Sequence, residues 1–218
     1  ASCSVRAVDV SESANSTRFH LLIDGKMSGR MKYRVAVPGR HNVMNALAAL
    51  AVGHSMGLSH GQMWEGLGRF VSSAMRMQFI EIADGITVVD DTYNANPVSM
   101  RCAVDAALQF ASGRQVVAIL GDMLELGDES ASYHEDVGRY VADRGVAALV
   151  AMGPMAKHLA AGAVGAGMPL ASVATCADAA EAATLGAAMA GSGSVYLVKG
   201  SRGMRMERVV EALSTCGS

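Results

Sequence analysis

Three polar segments of this chain combine carboxylates, carboxamides and cations at spacings that suit ligand binding. They are Asp90–Pro97 (DDTYNANP), Gly121–Gly127 (GDMLELG) and Lys199–Gly203 (KGSRG). Each follows a short apolar run that predicts a buried strand, and ligands of open parallel sheets collect beyond the carboxyl ends of the strands. We therefore predict one binding site for a polar ligand, formed by these three loops. The other two strand ends, near Gly153 and Thr175, carry no comparable side chains.

Structural roles compete with ligand binding at several of these positions. Asp91 could equally be a turn or cap residue. Asn96 before Pro97 is typical of a helix N-cap, where free N–H groups can also meet a ligand. The two cations, hydroxyl and two glycines of Lys199–Gly203 favour an anion site at the start of a helix.

The chain lacks the standard nucleotide-binding loops. No segment has the G-x-x-x-x-G-K-[ST] spacing of a phosphate loop, and no G-x-G-x-x-G follows the first predicted parallel strand. A dinucleotide-dependent oxidoreductase is therefore poorly supported. The six histidines form no H-x-x-x-H or H-E-x-x-H pair, so we assign them solvated or capping roles and predict no metal ligands on this chain. The four cysteines include no C-x-x-C pair, which is typical of reduced thiols in a cytosolic protein.

Short apolar strands alternating with helices position the three loops. The predicted strands are 86–91, 116–120, 147–152, 172–174 and 195–198. Each leads into a helical stretch, and the helices are predicted over 97–110, 130–144, 154–164, 177–190 and 204–213. The S/T-x-x-D/E spacing of Thr175 and Asp178 predicts that Thr175 caps the fourth helix. This alternation predicts βαβ units and a parallel sheet covered on both faces. We predict an α/β fold with a Rossmann-like domain over residues 78–218.

The pattern of residues 1–77 predicts three strands and two helices. These elements have no evident further element to pack against and complete a hydrophobic core. The first helix runs from about Asn42 to Met56 and is ended by Gly57. The second is opened by Ser59, whose spacing to Gln62 predicts a capping box. The strands either form a small sheet of their own or belong to the closing part of a larger domain. We favour the second interpretation.

The composition excludes several classes of protein. The chain has 218 residues, of which 51% are hydrophobic and 17% are charged, and its formal net charge is −2. The apolar fraction excludes general disorder, and the charge argues against a protein that wraps nucleic acid. No apolar run approaches the roughly 20 residues of a spanning helix, and the polar start is unlike a signal peptide. We predict a soluble cytoplasmic protein with no nucleic-acid partner and no membrane insertion.

Four blocks resemble one enzyme family. Gly39–Ala49 (GRHNVMNALAA) resembles the G-R-H-N-x-x-N-A-x-A-A segment of the Mur ligases, which form amide bonds in bacterial cell-wall precursors at the expense of ATP. The DDTYNANP, GDMLELG and KGSRGM blocks resemble the branch of the family that attaches D-alanyl-D-alanine. The match runs from about residue 35 to the end, in the family's order and spacing.

The resemblance implies a domain organisation. Residues 1–77 are expected to be the closing part of the central ATPase domain, and residues 78–218 the Rossmann-like C-terminal domain. The family's UDP-binding domain and phosphate loop have no counterpart here, so the chain is expected to be an incomplete ligase that is inactive alone. The Mg²⁺ ligands are expected in the part that is missing, and the ligase is expected to be a monomer.

The resemblance also implies a reaction. In the family, a peptide carboxylate attacks the γ-phosphate of ATP to give an acyl phosphate, which the incoming amine then attacks. The substrates expected here are UDP-N-acetylmuramoyl-tripeptide and D-alanyl-D-alanine, in the synthesis of peptidoglycan. One nucleotide bound by residues of both domains is expected to couple the binding of ATP to closure of the two domains.

Site residues carried over from the family fall into two groups. The nucleotide group comprises Asn42 and Asn45 at the base, Arg76 at ribose and phosphate, Asp91 at the ribose and Tyr93 beside adenine; Arg76 and Asp91 are also expected to be catalytic. The candidates for the dipeptide and the peptide end of the precursor are Asn94, Asn96, Asp122, Glu125, Lys199, Ser201 and Arg202.

Two alternatives remain open at this point. One is another amide ligase of the superfamily, either a different Mur ligase or one similar to folylpolyglutamate synthetase. The NANP and GDMLELG loops argue against it. The other is a non-catalytic, Rossmann-like binding module, which predicts that residues 1–77 fold autonomously.

Overall fold

A computed structural model describes residues 5–13, 16–37, 39–71, 74–82 and 85–216. The chain divides into two compact units, Ala1–Ser72 and Ser73–Ser218. This division falls five residues before the domain boundary that the sequence predicts. The identification of the two parts with Mur ligase domains stays a prediction.

The first unit is an antiparallel sheet with two helices. Its strands are β1 (Val5–Ser13), β2 (Ser16–Ile23), β3 (Lys26–Met27) and β4 (Tyr33–Val35). Strand β2 is central and pairs with the other three. The helices are α1 (Arg40–Ser55) and α2 (His60–Gly68). The strands thus do form a sheet of their own, and it includes a short strand, β3, that the sequence did not predict.

Alternation along the strands builds the core of the first unit. Phe19 and Leu21 of β2 point to the same face as Tyr33 and Val35 of β4, and Leu50 of α1 packs into the same cluster. The helix ends follow the predicted signals. Ser59 and Gln62 form the capping box at the start of α2, and Gly57, at φ +80°, follows the end of α1.

The second unit is a six-stranded, mostly parallel sheet with helices on both faces. Its strands are β5 (Gln78–Glu81), β6 (Thr87–Asp91), β7 (Val116–Gly121), β8 (Ala148–Met152), β9 (Val173–Cys176) and β10 (Val195–Lys199). The spatial order is β5-β6-β10-β7-β8-β9. Strand β5 is antiparallel to β6, and the other five are parallel, as predicted.

The helices of the second unit form a layer on each face of the sheet. They are α3 (Pro97–Ala111), α4 (Ser130–Asp143), α5 (Ala156–Gly165), α6 (Ala179–Met189) and α7 (Glu207–Cys216). Residues of α3, α4 and α5 pack in one apolar cluster, and residues of α6 and α7 pack in the other. Burial on both faces explains why the strands are continuous apolar runs instead of alternating ones.

Two predicted helix starts differ from the structure. Asp178, and not Thr175, caps α6, since its side chain accepts the N–H of Glu181. Helix α7 begins at Glu207, three residues later than expected, because residues 202–204 form a 3₁₀ turn. The predicted start of α3 is confirmed, with Asn96 as the cap and Pro97 in the first turn.

Candidate ligand-binding site

The three polar loops leave neighbouring strands at the same edge of the second unit's sheet. Strand β10 lies between β6 and β7, so the segment from Lys199 onward lies between the loops that follow Asp91 and Gly121. Hydrogen bonds between the loops confirm that the fold brings these segments together. Their order in space could not be read from their order in the chain, because β10 is the last strand in sequence.

A buried ion pair joins the first and third loops. The Lys199 ammonium lies 2.6 Å from Asp91 Oδ2, and the two side chains are 3% and 15% exposed. The same nitrogen donates to the carbonyl of Asn94 at 2.7 Å. Lys199 therefore faces the loop after β6, and the contact with a dipeptide carboxylate expected for it stays a prediction.

Ser201 connects all three loops. Its hydroxyl accepts the N–H of Leu124 at 2.9 Å and donates to the carbonyl of Ala95 at 3.4 Å. Its own N–H donates to the carbonyl of Asp122 at 3.0 Å. Ser201 is 4% exposed, so these buried hydrogen bonds hold the three loops together.

Asp122 extends the network to the next strand end. Its carboxylate accepts the N–H of Met155 at 3.1 and 3.2 Å, and the residue is 2% exposed. Gly153 permits this contact, because a Cβ there would come within 2.7 Å of Asp122 Oδ1. Burial raises the pKa of the Asp122 carboxyl, whereas the hydrogen bond from the Met155 N–H acts to lower it. Gly153 thus has a structural role that its unremarkable sequence context did not suggest.

His134 is the residue at this edge that sequence reasoning missed. Its Nε2 accepts the N–H of Met123 at 2.9 Å, and its Nδ1 donates to the Ser130 carbonyl at 2.6 Å. These partners select the neutral tautomer with the proton on Nδ1. Of the two roles predicted for the histidines, solvated or capping, the solvated one is wrong for His134, because the ring is fully buried and accepts a backbone N–H. The available signal was its helical spacing from the apolar Val137 and Val141, which places it on the buried face of α4.

An exposed cation and an aromatic ring lie beside the buried ion pair. The Arg76 guanidinium sits 4.2 Å from the centroid of the Tyr93 ring, and Tyr93 is 45% exposed. The N–H of Tyr93 donates to the carbonyl of Met75, and the N–H of Met77 donates to Asp91 Oδ1. The segment before β5 is therefore joined to the loop after β6, so Arg76, Asp91 and Tyr93 lie close together; their binding of a nucleotide stays a prediction.

The remaining site candidates have local partners or are exposed. Asn96 accepts the N–H of Ser99, so its capping role is confirmed, and Asn94 Oδ1 accepts the N–H of Ala95. Arg202 lies 3.1 Å from Glu207. Glu125 is exposed and has a positive φ of 63°. None of these arrangements tests a contact with substrate.

Asn42 and Asn45 belong to the first unit. Both lie in α1, and Asn45 Nδ2 donates to Asn42 Oδ1 at 3.5 Å. Their separation of three residues places them on neighbouring positions of one helix face, which suits a shared ligand.

The described residues contain no group of three or more histidine, cysteine, aspartate or glutamate side chains able to hold a metal ion. Across that same part of the chain, none of the helices is both long and apolar enough to cross a membrane.

Comparison with known proteins identifies related chains. Residues 75–202 match the family described as "Mur ligase, glutamate ligase domain". The UDP-N-acetylmuramoyl-tripeptide–D-alanyl-D-alanine ligase of Bacillus subtilis is 30% identical over 94% of this chain and 44% of its own length. A crystal structure of MurF from Acinetobacter baumannii is 32% identical, with a TM-score of 0.83, over 97% of this chain and 45% of its own.

A third relative shows similarity of fold. The structure of MurF ligase from Thermotoga maritima in complex with ADP is 23% identical, with a TM-score of 0.78, over 97% of this chain and 46% of its own. This chain therefore spans less than half the length of each of the three relatives.

Proposed function

Because this chain belongs to the Mur ligase family, we propose that it is part of an ATP-dependent ligase that joins D-alanyl-D-alanine to UDP-N-acetylmuramoyl-tripeptide. The observation that carries the proposal is the convergence of DDTYNANP, GDMLELG and KGSRG at one edge of the sheet. Two relatives that are 30% and 35% identical over 94% and 90% of this chain carry the name of that ligase. The product would serve peptidoglycan synthesis in the bacterial cytoplasm.

The chemistry of the exposed groups beside β6 fits a nucleotide. A guanidinium forms strong charge-assisted hydrogen bonds to phosphate, which suits Arg76. A carboxylate accepts hydrogen bonds from ribose hydroxyls, which suits Asp91. The half-exposed ring of Tyr93 offers a flat surface to adenine. We propose that these three residues, together with Asn42 and Asn45 at the base, bind ATP.

ATP, when bound, supplies the phosphoryl group that activates the peptide carboxylate as an acyl phosphate. The role of Arg76 is to position the phosphates of ATP and stabilise their negative charge, since phosphoryl transfer depends mainly on positioning and electrostatic stabilisation. We propose that Mg²⁺ binds to a part of the ligase outside this chain, and that the complete ligase acts as a monomer.

The other loops suit the peptide substrates. Glu125 and Arg202 are exposed at the edge, where they could meet an ammonium and a carboxylate. Asn94, Asn96, Asp122 and Ser201 hold the loops through the contacts described above, and we propose that their backbones form the floor of the dipeptide site. Water must be excluded there, because it would hydrolyse an activated carboxylate.

The test uses the full-length ligase that contains this chain. ADP release with UDP-N-acetylmuramoyl-tripeptide should require D-alanyl-D-alanine, and glutamate should not replace it. Arg76→Ala should lower kcat/KM for ATP about 100-fold, the usual effect of removing one group that stabilises transition-state charge. Arg208→Ala, a change at an exposed arginine of α7, is the matched control and should behave as wild type.

Two results would contradict the proposal. Activity with glutamate in place of the dipeptide would assign the chain to another amide ligase. Wild-type kinetics of Arg76→Ala would remove the nucleotide site from this edge.

A further inference from the structure

Lys199 is buried at the last position of β10, where lysine is seldom found. Its side chain is 3% exposed, and lysine is almost never fully buried unless it is paired. In the parallel register it stands opposite Asp91 of β6 on one side and Leu120 of β7 on the other. The side chain bends toward β6, so the positive charge is directed to one loop only.

All three N–H donors of the Lys199 ammonium have an acceptor in this loop. The acceptors are Asp91 Oδ2 at 2.6 Å, the Asn94 carbonyl at 2.7 Å and, more weakly, the Asp91 carbonyl at 3.4 Å. An ammonium group has three donors and no acceptor. A substrate carboxylate could bind Lys199 only by displacing one of these contacts.

The same contacts determine where the proposed nucleotide residues lie. Asp91 Oδ2 is held by Lys199, and Oδ1 is held by the N–H of Met77 at 3.2 Å. The N–H of Tyr93 binds the Met75 carbonyl at 3.0 Å, and the intervening Arg76 stacks on the Tyr93 ring. The charge of Lys199 thus anchors a connected unit of two segments, 75–77 and 91–94, to the centre of the sheet.

We propose that Lys199 is a positioning residue for the nucleotide site, acting through Asp91 and the turn from Asp91 to Asn94, and that it does not bind the dipeptide. The inference rests on the proposed function and replaces the dipeptide contact expected for Lys199. Without the ammonium, the Asp91 carboxylate is left partly buried and without its Lys199 partner, and it must move toward water or take up a proton.

Lys199→Met in the full-length ligase separates the two roles. Methionine has a similar length but no charge. Lys157→Met makes the same change at an exposed lysine of α5 and is the matched control. ADP affinity, measured by titration calorimetry, should weaken about tenfold or more, the range of coupling seen between contacting residues. The KM for D-alanyl-D-alanine should stay within twofold of wild type, a split that general loss of structure does not produce.

A double-mutant cycle with Asp91→Asn tests whether Lys199 acts through Asp91. The Asp91→Asn Lys199→Met variant carries no unpaired buried charge, so it remains informative if Lys199→Met fails to fold. The fold-decrease in ADP affinity of this double variant should be well below the product of the fold-decreases of Lys199→Met and Asp91→Asn. If Lys199→Met does not fold, the decrease in the double variant should be no larger than that in Asp91→Asn.

The outcomes separate this inference from the proposed function. Absence of dipeptide-dependent activity in the wild type would overturn the proposed function. With an active wild type, three results would overturn the positioning role: unchanged ADP affinity in Lys199→Met, an increase only in the dipeptide KM, or losses that simply multiply in the cycle.

Discussion

The loop after β6 is anchored by a buried charge pair, whereas Met123 in the loop after β7 is anchored by an uncharged histidine of α4. In the first, Lys199 and Asp91 neutralise each other across adjacent strands. In the second, the neutral His134 ring accepts the N–H of Met123. Both solutions satisfy buried polar groups, but they differ in what happens when one partner is lost.

The difference follows from the cost of burial. An unpaired buried charge costs far more than an unpaired amide, because desolvation acts on the full charge. The charged anchor is therefore more sensitive to loss of one partner, and simultaneous removal of both should be milder. Loss of the uncharged His134 contact should lower the free energy of unfolding by less than loss of one partner of the ion pair.

The largest effect is expected from breaking the charged anchor on one side. Lys199→Met should lower the free energy of unfolding by about 3–5 kcal/mol, the range for removing one member of a buried ion pair. The Asp91→Asn Lys199→Met variant should be more stable than Lys199→Met alone. Urea unfolding followed by circular dichroism measures both.

Lys157→Met serves as the control for this experiment and should stay within about 0.5 kcal/mol of wild type, as exposed substitutions usually do. A double variant less stable than Lys199→Met would show that the ion pair is not the source of the loss.

An intermediate effect is expected for the neutral anchor. His134→Leu leaves the buried N–H of Met123 without an acceptor, which should cost about 2 kcal/mol. His158→Leu is the matched control, since His158 contacts the partly exposed Glu135 on the neighbouring α4. Exposed pairs contribute at most about 1 kcal/mol. Equal losses in the two variants, measured by urea unfolding, would remove His134 from the anchor.

The smallest effect concerns pH. Burial raises the pKa of Asp122 in the folded chain, so the folded state binds this proton more tightly than the unfolded state. The resulting stability is complete below the ordinary carboxyl pKa of about 3.9 and is lost as pH rises through the raised value. Asp122→Asn does not titrate.

The free energy of unfolding of wild type minus that of Asp122→Asn should therefore fall as pH rises across this window. Urea unfolding at a series of pH values measures that difference. A difference that increases with pH would show that the hydrogen bonds from the Met155 N–H outweigh burial.

Much of the fold was predictable because its signals are local. Short, mostly apolar runs of three to six residues flanked by turn residues predicted the parallel strands, and the cap signals at Ser59 and Asn96 placed two helix starts correctly. The Thr175 prediction was wrong because Asp178 offers a competing carboxylate directly before the helix.

The sequence predicted which loops form the candidate site, but it did not predict which contacts their side chains make. The residue types of DDTYNANP, GDMLELG and KGSRG indicated binding loops, and parallel topology places the ends of their strands at one edge. Which side chains remain open to a ligand depends on contacts between segments more than 70 residues apart, such as Leu124 with Ser201. The same is true of the role of Gly153, which is evident only from its closeness to Asp122.

The sequence by itself determined the alternation of strands and helices, the chemistry of the three loops and the resemblance to the Mur ligases, since each depends on neighbouring residues. Only the tertiary structure decided that β10 inserts between β6 and β7. That insertion brings Lys199 to Asp91 across 108 residues of chain. Strand order is set by the packing of whole elements, and the resulting sheet buries Lys199, which the sequence offered as a ligand-binding cation, against Asp91.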